Sequence, residues 1–441
     1  MNHASRSLRV NMLFAIGGMG LYSLCQLLVT ALLAKFASAR AVGDYAYGLA
    51  VSSPVVLLFS LELRGAFVAD VGGEFPYSVY RRLRNAAAAA AAVCLALVVA
   101  WRALRDVDAP AVALLACICA AKIAWQLAEL DWGAFQRRER LDLVAAAAAL
   151  RGLALLAPFA VLLPAAAYTG WNPATATALA AGIWAASWWL ILPMFERRRA
   201  APAAESGRPA PWRDVRRLAW QTLPLGVVAT VVNLCDSLPR LLIASQPGGR
   251  EALGYYAALA YVTLAGNLVA IQASNAAANR LSLYYWQDRA AFVRLLARLL
   301  ATALTLGAGL CVAAWFAGEW FLRVLYRSDY AAHHSEFMII IAAQSLALMT
   351  NVLGVTATQM RLFMVQSWMQ ALVLAATLVA ALAWIPADPL RGAALTALTR
   401  AVVQFVLYAG CVAGGLVWRS KRVIAGPPGA LAPDPEAHAA G

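Results

Sequence analysis

The 441-residue chain is 63% hydrophobic and 13% charged, with 36 Lys and Arg against 22 Asp and Glu and a formal net charge of +14. Soluble domains carry about 45–50% apolar and about 25% charged residues, so this composition excludes an ordinary soluble domain and indicates a polytopic membrane protein. Backbone polar groups in hydrocarbon must be satisfied within the segment, so the long apolar runs read as helices; the alternation of a β-barrel is absent.

In chain order, the apolar runs between charged breaks predict spans near 10–34, 42–63, 85–101, 110–132, 142–163, 174–194, 218–245, 253–275, 294–317, 337–357, 364–385 and 392–417. The first follows Arg6 and Arg9 and resembles a signal peptide, with Ala37-Ser38-Ala39 as a cleavage site. It is too long for the apolar core of a signal peptide and contains Gln26, so an uncleaved helix with its N-terminus inside is expected.

Lys and Arg concentrate in cytoplasmic loops, and that bias fits both termini inside. The inner clusters are Arg81, Arg82 and Arg84; Arg137, Arg138 and Arg140; Arg197 to Arg199 with Arg213, Arg216 and Arg217; Arg280 and Arg289; and Arg419, Lys421 and Arg422. Orientation and anionic headgroups account for the basic excess, and no nucleic-acid partner is expected.

The chain divides in the middle. A stretch rich in Pro, Ala and charge, 196–217, reads as a cytoplasmic linker between a six-helix bundle at 1–195 and another at 218–418; residues 419–441 read as a disordered cytoplasmic tail. Two short patterns recur: Ala41-Val42-Gly43-Asp44-Tyr45-Ala46 against Ala252-Leu253-Gly254-Tyr255-Tyr256-Ala257, and Ala134-Phe-Gln-Arg-Arg138 against Ala357-Thr-Gln-Met-Arg361. The expected fold is therefore an all-α integral membrane protein of about 12 transmembrane helices, in two pseudo-symmetric bundles around a central cavity.

Enzyme chemistry is sparse. None of Lys35, Lys122 and Lys421 precedes Ser or Thr, so there is no phosphate-binding loop of the Gly-Lys-Ser/Thr type. His3, His333, His334 and His438 lie in tails or one outer loop, and no Cys, His and carboxylate spacing suggests a metal site, so no cofactor is expected. The seven cysteines all fall in apolar segments and read as small packing residues.

Charge inside the spans carries more information, because an ionisable group near the bilayer centre costs at least about 2.5–3.5 kcal/mol and faces a partner or a wet cavity. Lys122, Gln126 and Glu129 stand at i, i+4 and i+7 on one helical face, as do Asn233, Asp236 and Arg240 at i, i+3 and i+7. Arg400 and Gln404 mark the last span, Glu62 and Arg64 the second, Arg151 the fifth, and Gln344 and Asn351 the tenth. Lys122 with Glu129, or Asp236 with Arg240, could be structural pairs, and Glu62 and Arg64 could reach the inner headgroups. Polar stripes in both halves favour a hydrated, net-positive central cavity, and buried Arg is a natural receptor for phosphate oxygens.

These residues resemble a known family. The stretch "LLAKFASARAVGDYAYGLA" is similar to the start of the polysaccharide-unit (O-antigen type) flippases of the MATE-like multidrug/oligosaccharidyl-lipid/polysaccharide (MOP) superfamily, on Val42, Gly43, Asp44 and Tyr45. "DSLPRLLIASQPGGREALGYYAALA" resembles the same family on Asp236, Gly254, Tyr256 and Ala257. Ala39-Arg40-Ala41-Val42 departs from it, standing where a Leu-Gly-Pro-like turn is usual.

The resemblance implies a flippase, not an enzyme, that moves a polyprenyl-diphosphate-linked oligosaccharide across the bacterial inner membrane by alternating access for surface polysaccharide synthesis. On that implication Arg64, Lys122, Arg151, Arg240 and Arg400 hold the diphosphate, while Gln126, Asn233 and Gln404 contact sugars. Glu129 and Asp236 are then the candidates for a coupling H+ or Na+. The expected partners are the lipid-linked substrate and membrane lipids, with a polysaccharide polymerase and a chain-length regulator as candidate protein partners of a monomer.

Three rivals stand beside this reading. A multidrug or cation antiporter should have an acidic, aromatic site. The lipid-linked peptidoglycan precursor flippases are known for fourteen helices. A polytopic glycosyltransferase or polymerase should carry a large catalytic outer loop, whereas the longest one here, Gly318 to Glu336, holds only Asp329, His333 and His334 as candidates and reads as an interfacial helix with Trp320, Phe321 and Tyr326 at the headgroups.

Overall fold

The computed structural model describes residues 8–70, 72–105, 108–190, 211–263, 274, 277–278 and 280–422, with side chains from Gly17 to Val417. Among the described residues, ten helices are long and apolar enough to cross a membrane. The predicted spans at 174–194 and 253–275 run beyond the described residues; so do most of the linker at 196–217, with Arg197 to Arg199, and nearly all of the tail at 419–441.

The first lobe comprises α1 (Leu8–Phe36), α2 (Ala39–Ser60), the short α3 (Leu63–Ala69), α4 (Tyr77–Arg105), α5 (Ala109–Arg137), α6 (Leu141–Thr169) and α7 (Pro173–Leu190). The second comprises α8 (Trp212–Ala244), α9 (Gly249–Tyr261), α10 (Arg289–Leu325), the single turn α11 (Ser328–Ala331), α12 (His334–Gln359), α13 (Phe363–Trp384) and α14 (Pro389–Arg422).

Local sequence explains several boundaries. Ser38, Asp108 and Asp288 each accept a hydrogen bond from a first-turn amide of the helix that follows, satisfying donors the helix cannot. Leu61 and Glu62 are both left-handed, at φ 52° and 49°, and separate α2 from α3. The second repeated pattern marks a shared C-terminal stop. Glu139 (φ 57°) and Arg361 (φ 60°) turn the chain, and Arg140 N–H donates to the Phe135 carbonyl as Leu362 N–H donates to that of Ala357.

Packing follows one scheme twice: α1 on α6, α4 on α5, α5 on α7 and α6 on α7 in the first lobe correspond to α8 on α13, α10 on α12, α12 on α14 and α13 on α14 in the second. The lobes meet along α2. At the end bearing the α1–α2 turn, α2 crosses α9 where the first repeated pattern stands in both. A Cβ on Gly43 would lie 1.7 Å from the Arg250 carbonyl oxygen, and one on Gly254 would lie 1.8 Å from that of Ala39. Each glycine thus admits the backbone four residues before the other. Arg250 seals the crossing, with Nη1 3.2 Å from Asp44 Oδ1 and its guanidinium 3.5 Å from the Tyr47 ring centroid.

At the opposite end the N-terminal half of α8 packs on the first lobe. Val215 and Leu218 join Leu61, Leu63, Phe67 and Tyr80 in one apolar cluster. Arg217 pairs with Glu74 at 2.8 Å, and Arg82 lies over the Trp212 ring at 4.0 Å.

The stretch from Gly318 is not a separate interfacial helix. α10 has its N-cap at Asp288 and runs unbroken to Leu325, so Trp320 and Phe321 belong to its last turns. Tyr326 is buried, and its hydroxyl donates to the Ala258 carbonyl at 2.8 Å. A carbonyl acceptor inside the bundle offsets the burial of a phenol that the sequence pattern assigns to headgroups. His334 opens α12 and lies 3.0 Å from the Ala314 carbonyl.

Candidate functional site

Between the lobes lies a cavity of about 500 Å³. Its charged lining is Lys122 from α5, Asp236 and Arg240 from α8, and Arg400 from α14: three cations against one carboxylate. Asn233 and Gln404 add amides to the same wall.

The cations are not equivalent. Arg400 Nη1 hydrogen-bonds Asp236 Oδ1, joining α14 to α8. Both side chains keep contact with the cavity, at 25% and 50% exposure, so this pair is hydrated rather than dry. Lys122 and Arg240 have no carboxylate within ion-pair distance among the described residues, and Arg240 Nε is buried without an acceptor. Lys122 Nζ lies 5.9 Å from the Trp125 ring centroid. Three cations against one carboxylate in a site of restricted water attract anions, since Coulomb energy grows as the effective dielectric falls.

The remaining residues singled out in the sequence lie elsewhere. Glu129 accepts from Arg84 Nη1 at 3.4 Å instead of pairing with Lys122; Arg84 is 1% exposed. Arg64 donates to Gln136 Oε1 at 3.0 Å, near this pair, so these groups form a polar cluster within the first lobe. Arg151 is sandwiched between Trp132 and Trp188, at 4.1 and 3.8 Å from their centroids. Gln126 is fully buried, and neither amide atom has a partner in the described residues. Lys122, Gln126 and Glu129 share a face of α5, but Glu129 stands about 10 Å further along the axis, and of the stripe only Lys122 lines the cavity.

Other lining residues escaped assignment. Gln26 is a lone polar residue in the first apolar run and Tyr256 a letter of a repeated pattern, and both line the cavity. Gln344 and Asn351, two turns apart on α12, line the cavity together, and their spacing was the available signal. All seven cysteines are free. Among the described residues no group of three or more His, Cys, Asp or Glu could hold a metal ion.

No known family profile matches the chain. It is 21% identical over 397 residues to the capsular polysaccharide biosynthesis protein CapF of Staphylococcus aureus, covering 88% of this chain and 95% of that one. Its structure is similar to that of the lipid II flippase MurJ in an inward closed conformation, with a TM-score of 0.68, 9% identity and coverage of 95% and 93% of the two chains. A MOP-superfamily transporter from Pyrococcus furiosus, described as having a binding pocket of reverse polarity, gives a TM-score of 0.63 at 12% identity, covering 94% and 96%. An inward-facing multidrug resistance transporter of the MATE family gives 0.61 at 11%, covering 96% and 97%. Over nearly its whole length the chain therefore has the fold of the MOP-superfamily membrane transporters.

Proposed function

We propose that the protein is a flippase that carries a polyprenyl-diphosphate-linked oligosaccharide across the bacterial inner membrane for surface polysaccharide synthesis. The observation that carries this reading is the cavity's excess of positive charge, with Lys122 and Arg240 on opposite lobes and neither within ion-pair distance of a carboxylate among the described residues. A diphosphate bound between them draws the lobes together, while the amides of Asn233, Gln404 and Gln344 meet sugar hydroxyls and the prenyl chain stays in lipid. The likeness to a capsular polysaccharide protein and to a lipid II flippase supports a lipid-linked sugar as cargo.

In this reading both termini are cytoplasmic, and the Gly43–Gly254 crossing closes the outer end. The Arg-bearing end formed by Arg82, Arg137 and Arg217 faces the cytoplasm, a placement that the distribution of basic residues supports. Arg400 helps to position the diphosphate, and its partner Asp236 is the coupling-ion candidate, because a carboxylate beside a cation can exchange partners between states. Arg64, Arg151, Gln126 and Glu129 support the first lobe without touching the substrate. An organic-cation antiporter shares the fold, but the excess of positive charge in the cavity opposes a cationic substrate.

The test is reconstitution in liposomes with a polyprenyl-diphosphate oligosaccharide, following its arrival in the far leaflet. Lys122→Ala with Arg240→Ala should lower translocation by about a hundredfold, as expected for two lost charge-assisted contacts, and Arg240→Lys should retain part of it. Translocation unchanged in the folded double variant would overturn the proposal, as would selective transport of an organic cation by the wild type.

A further inference from the structure

A smaller cavity of about 30 Å³ lies against the central one inside the first lobe. Tyr22, Tyr45, Trp125, Trp184 and Trp188 wall it, and Gln26, Leu49 and Lys122 line both cavities. Trp184 and Trp188 are 3% and 2% exposed, and neither indole Nε1–H has an acceptor in the described residues. Buried donors without acceptors are rare in folded proteins and mark places where a ligand or a water completes the bonding.

We infer that this niche receives the acylamino substituent of the sugar attached to the diphosphate, an inference that rests on the flippase reading above. The volume holds about two water-sized groups, the size of a carbonyl oxygen and a methyl. A carbonyl oxygen only accepts, which matches the indole N–H donors; a hydroxyl would bring a donor of its own into walls rich in donors. The methyl packs against aromatic rings. A carboxylate has a similar size, but ring faces are negative and, among the described residues, Lys122 at the mouth is the one cation lining the niche.

Position agrees with chemistry. Lys122 borders both spaces, so a phosphate held there places the first sugar at the mouth of the niche. The substituent on the carbon next to the phosphate-bearing one is then the group nearest the opening. Recognition of one substituent near the diphosphate leaves the outer sugars free to vary.

The experiment uses the full-length protein in liposomes with three polyprenyl diphosphates, bearing a single N-acetylglucosamine, glucose or glucuronic acid. The expected result is half-maximal translocation of the acylamino lipid at roughly tenfold lower concentration than the glucose lipid. Trp184→Phe, which keeps the ring and removes the donor, should bring the ratio towards one while glucose-lipid transport holds. Ala121→Leu, which fills the niche from α5, should do the same. Equal handling of the two lipids by the wild type, an unchanged ratio in both variants, or preference for the glucuronic acid lipid would overturn the assignment alone. Transport of none of the three by a folded protein would overturn the flippase reading and the niche with it.

Discussion

Gly43 and Gly254 occupy equivalent places in two copies of one sequence pattern, and each receives the backbone carbonyl of the residue four before the other. The pattern recurs because each copy is half of one crossing. Gly43→Ala or Gly254→Ala would drive a Cβ into a carbonyl oxygen, and backbone cannot yield as a flexible side chain can. The helices must separate. Either variant should cut transport at least about tenfold. In a cysteine-free background carrying Ser53→Cys, an impermeant maleimide should label the cavity from outside in the alanine variants and not with glycine present.

Asp236 and Arg400 tie α8 to α14 across the cavity wall. Because both are in contact with the cavity, the pair should be worth less than a dry one. A double-mutant cycle of Asp236→Ala and Arg400→Ala, read by thermal unfolding in detergent, should give a coupling of about 1–2 kcal/mol. A coupling near zero would mean that the pair forms without holding the helices.

Arg84 and Glu129 present the opposite case, a guanidinium at 1% exposure on a carboxylate at 14%. Removing one partner strands the other in a poorly solvated place, so Arg84→Ala should destabilise by about 3–5 kcal/mol. Arg84→Met with Glu129→Leu should recover most of that loss. Recovery would assign Glu129 to structure, and transport by the double variant would exclude it as the coupling site.

Asp70 lies just beyond α3, where its carboxylate accepts from the Glu74 and Phe75 amides at 2.9 and 3.2 Å and from the Tyr80 hydroxyl at 3.2 Å. Burial raises its pKa, but these bonds outweigh burial and hold it below the usual carboxylate range. A depressed folded-state value means that the contribution is present above the ordinary carboxylate pKa of about 3.9 and is lost as pH falls through the lowered value. Asp70→Asn should therefore cost about 1 kcal/mol at neutral pH, with the difference from wild type closing below about pH 4.

Much of this architecture is written locally. Span positions follow from apolar length, and the stops after Arg137 and Gln359 from short repeated patterns. The cavity's charge is legible through Lys122, Arg240 and Arg400, because charge in hydrocarbon is costly enough to require a wet face. Pairing is not legible. Glu129 sits two turns from Lys122 on the same helix yet bonds Arg84 from α4, because the choice of partner depends on how helices pack. Arg151 reads as a phosphate ligand until the fold encloses it between Trp132 and Trp188, since distant aromatics leave no trace in local spacing. Tyr256 looks like one letter of a motif, although the same short helix carries both the crossing and part of the cavity wall.

The seating of α8 bears on how the chain could be divided. Its first turns fill an apolar cluster of the first lobe, while its later turns supply Asn233, Asp236 and Arg240 to the cavity. The covalent connection before it is therefore not what assigns it a place; complementary surfaces do that. Produced as two polypeptides cut shortly before Trp212, the halves should recognise each other in the bilayer and co-purify without a tether. A second half that begins after Leu218 would lack the matching face, and a first half that ends before Trp212, paired with it, would be left with an unfilled apolar socket.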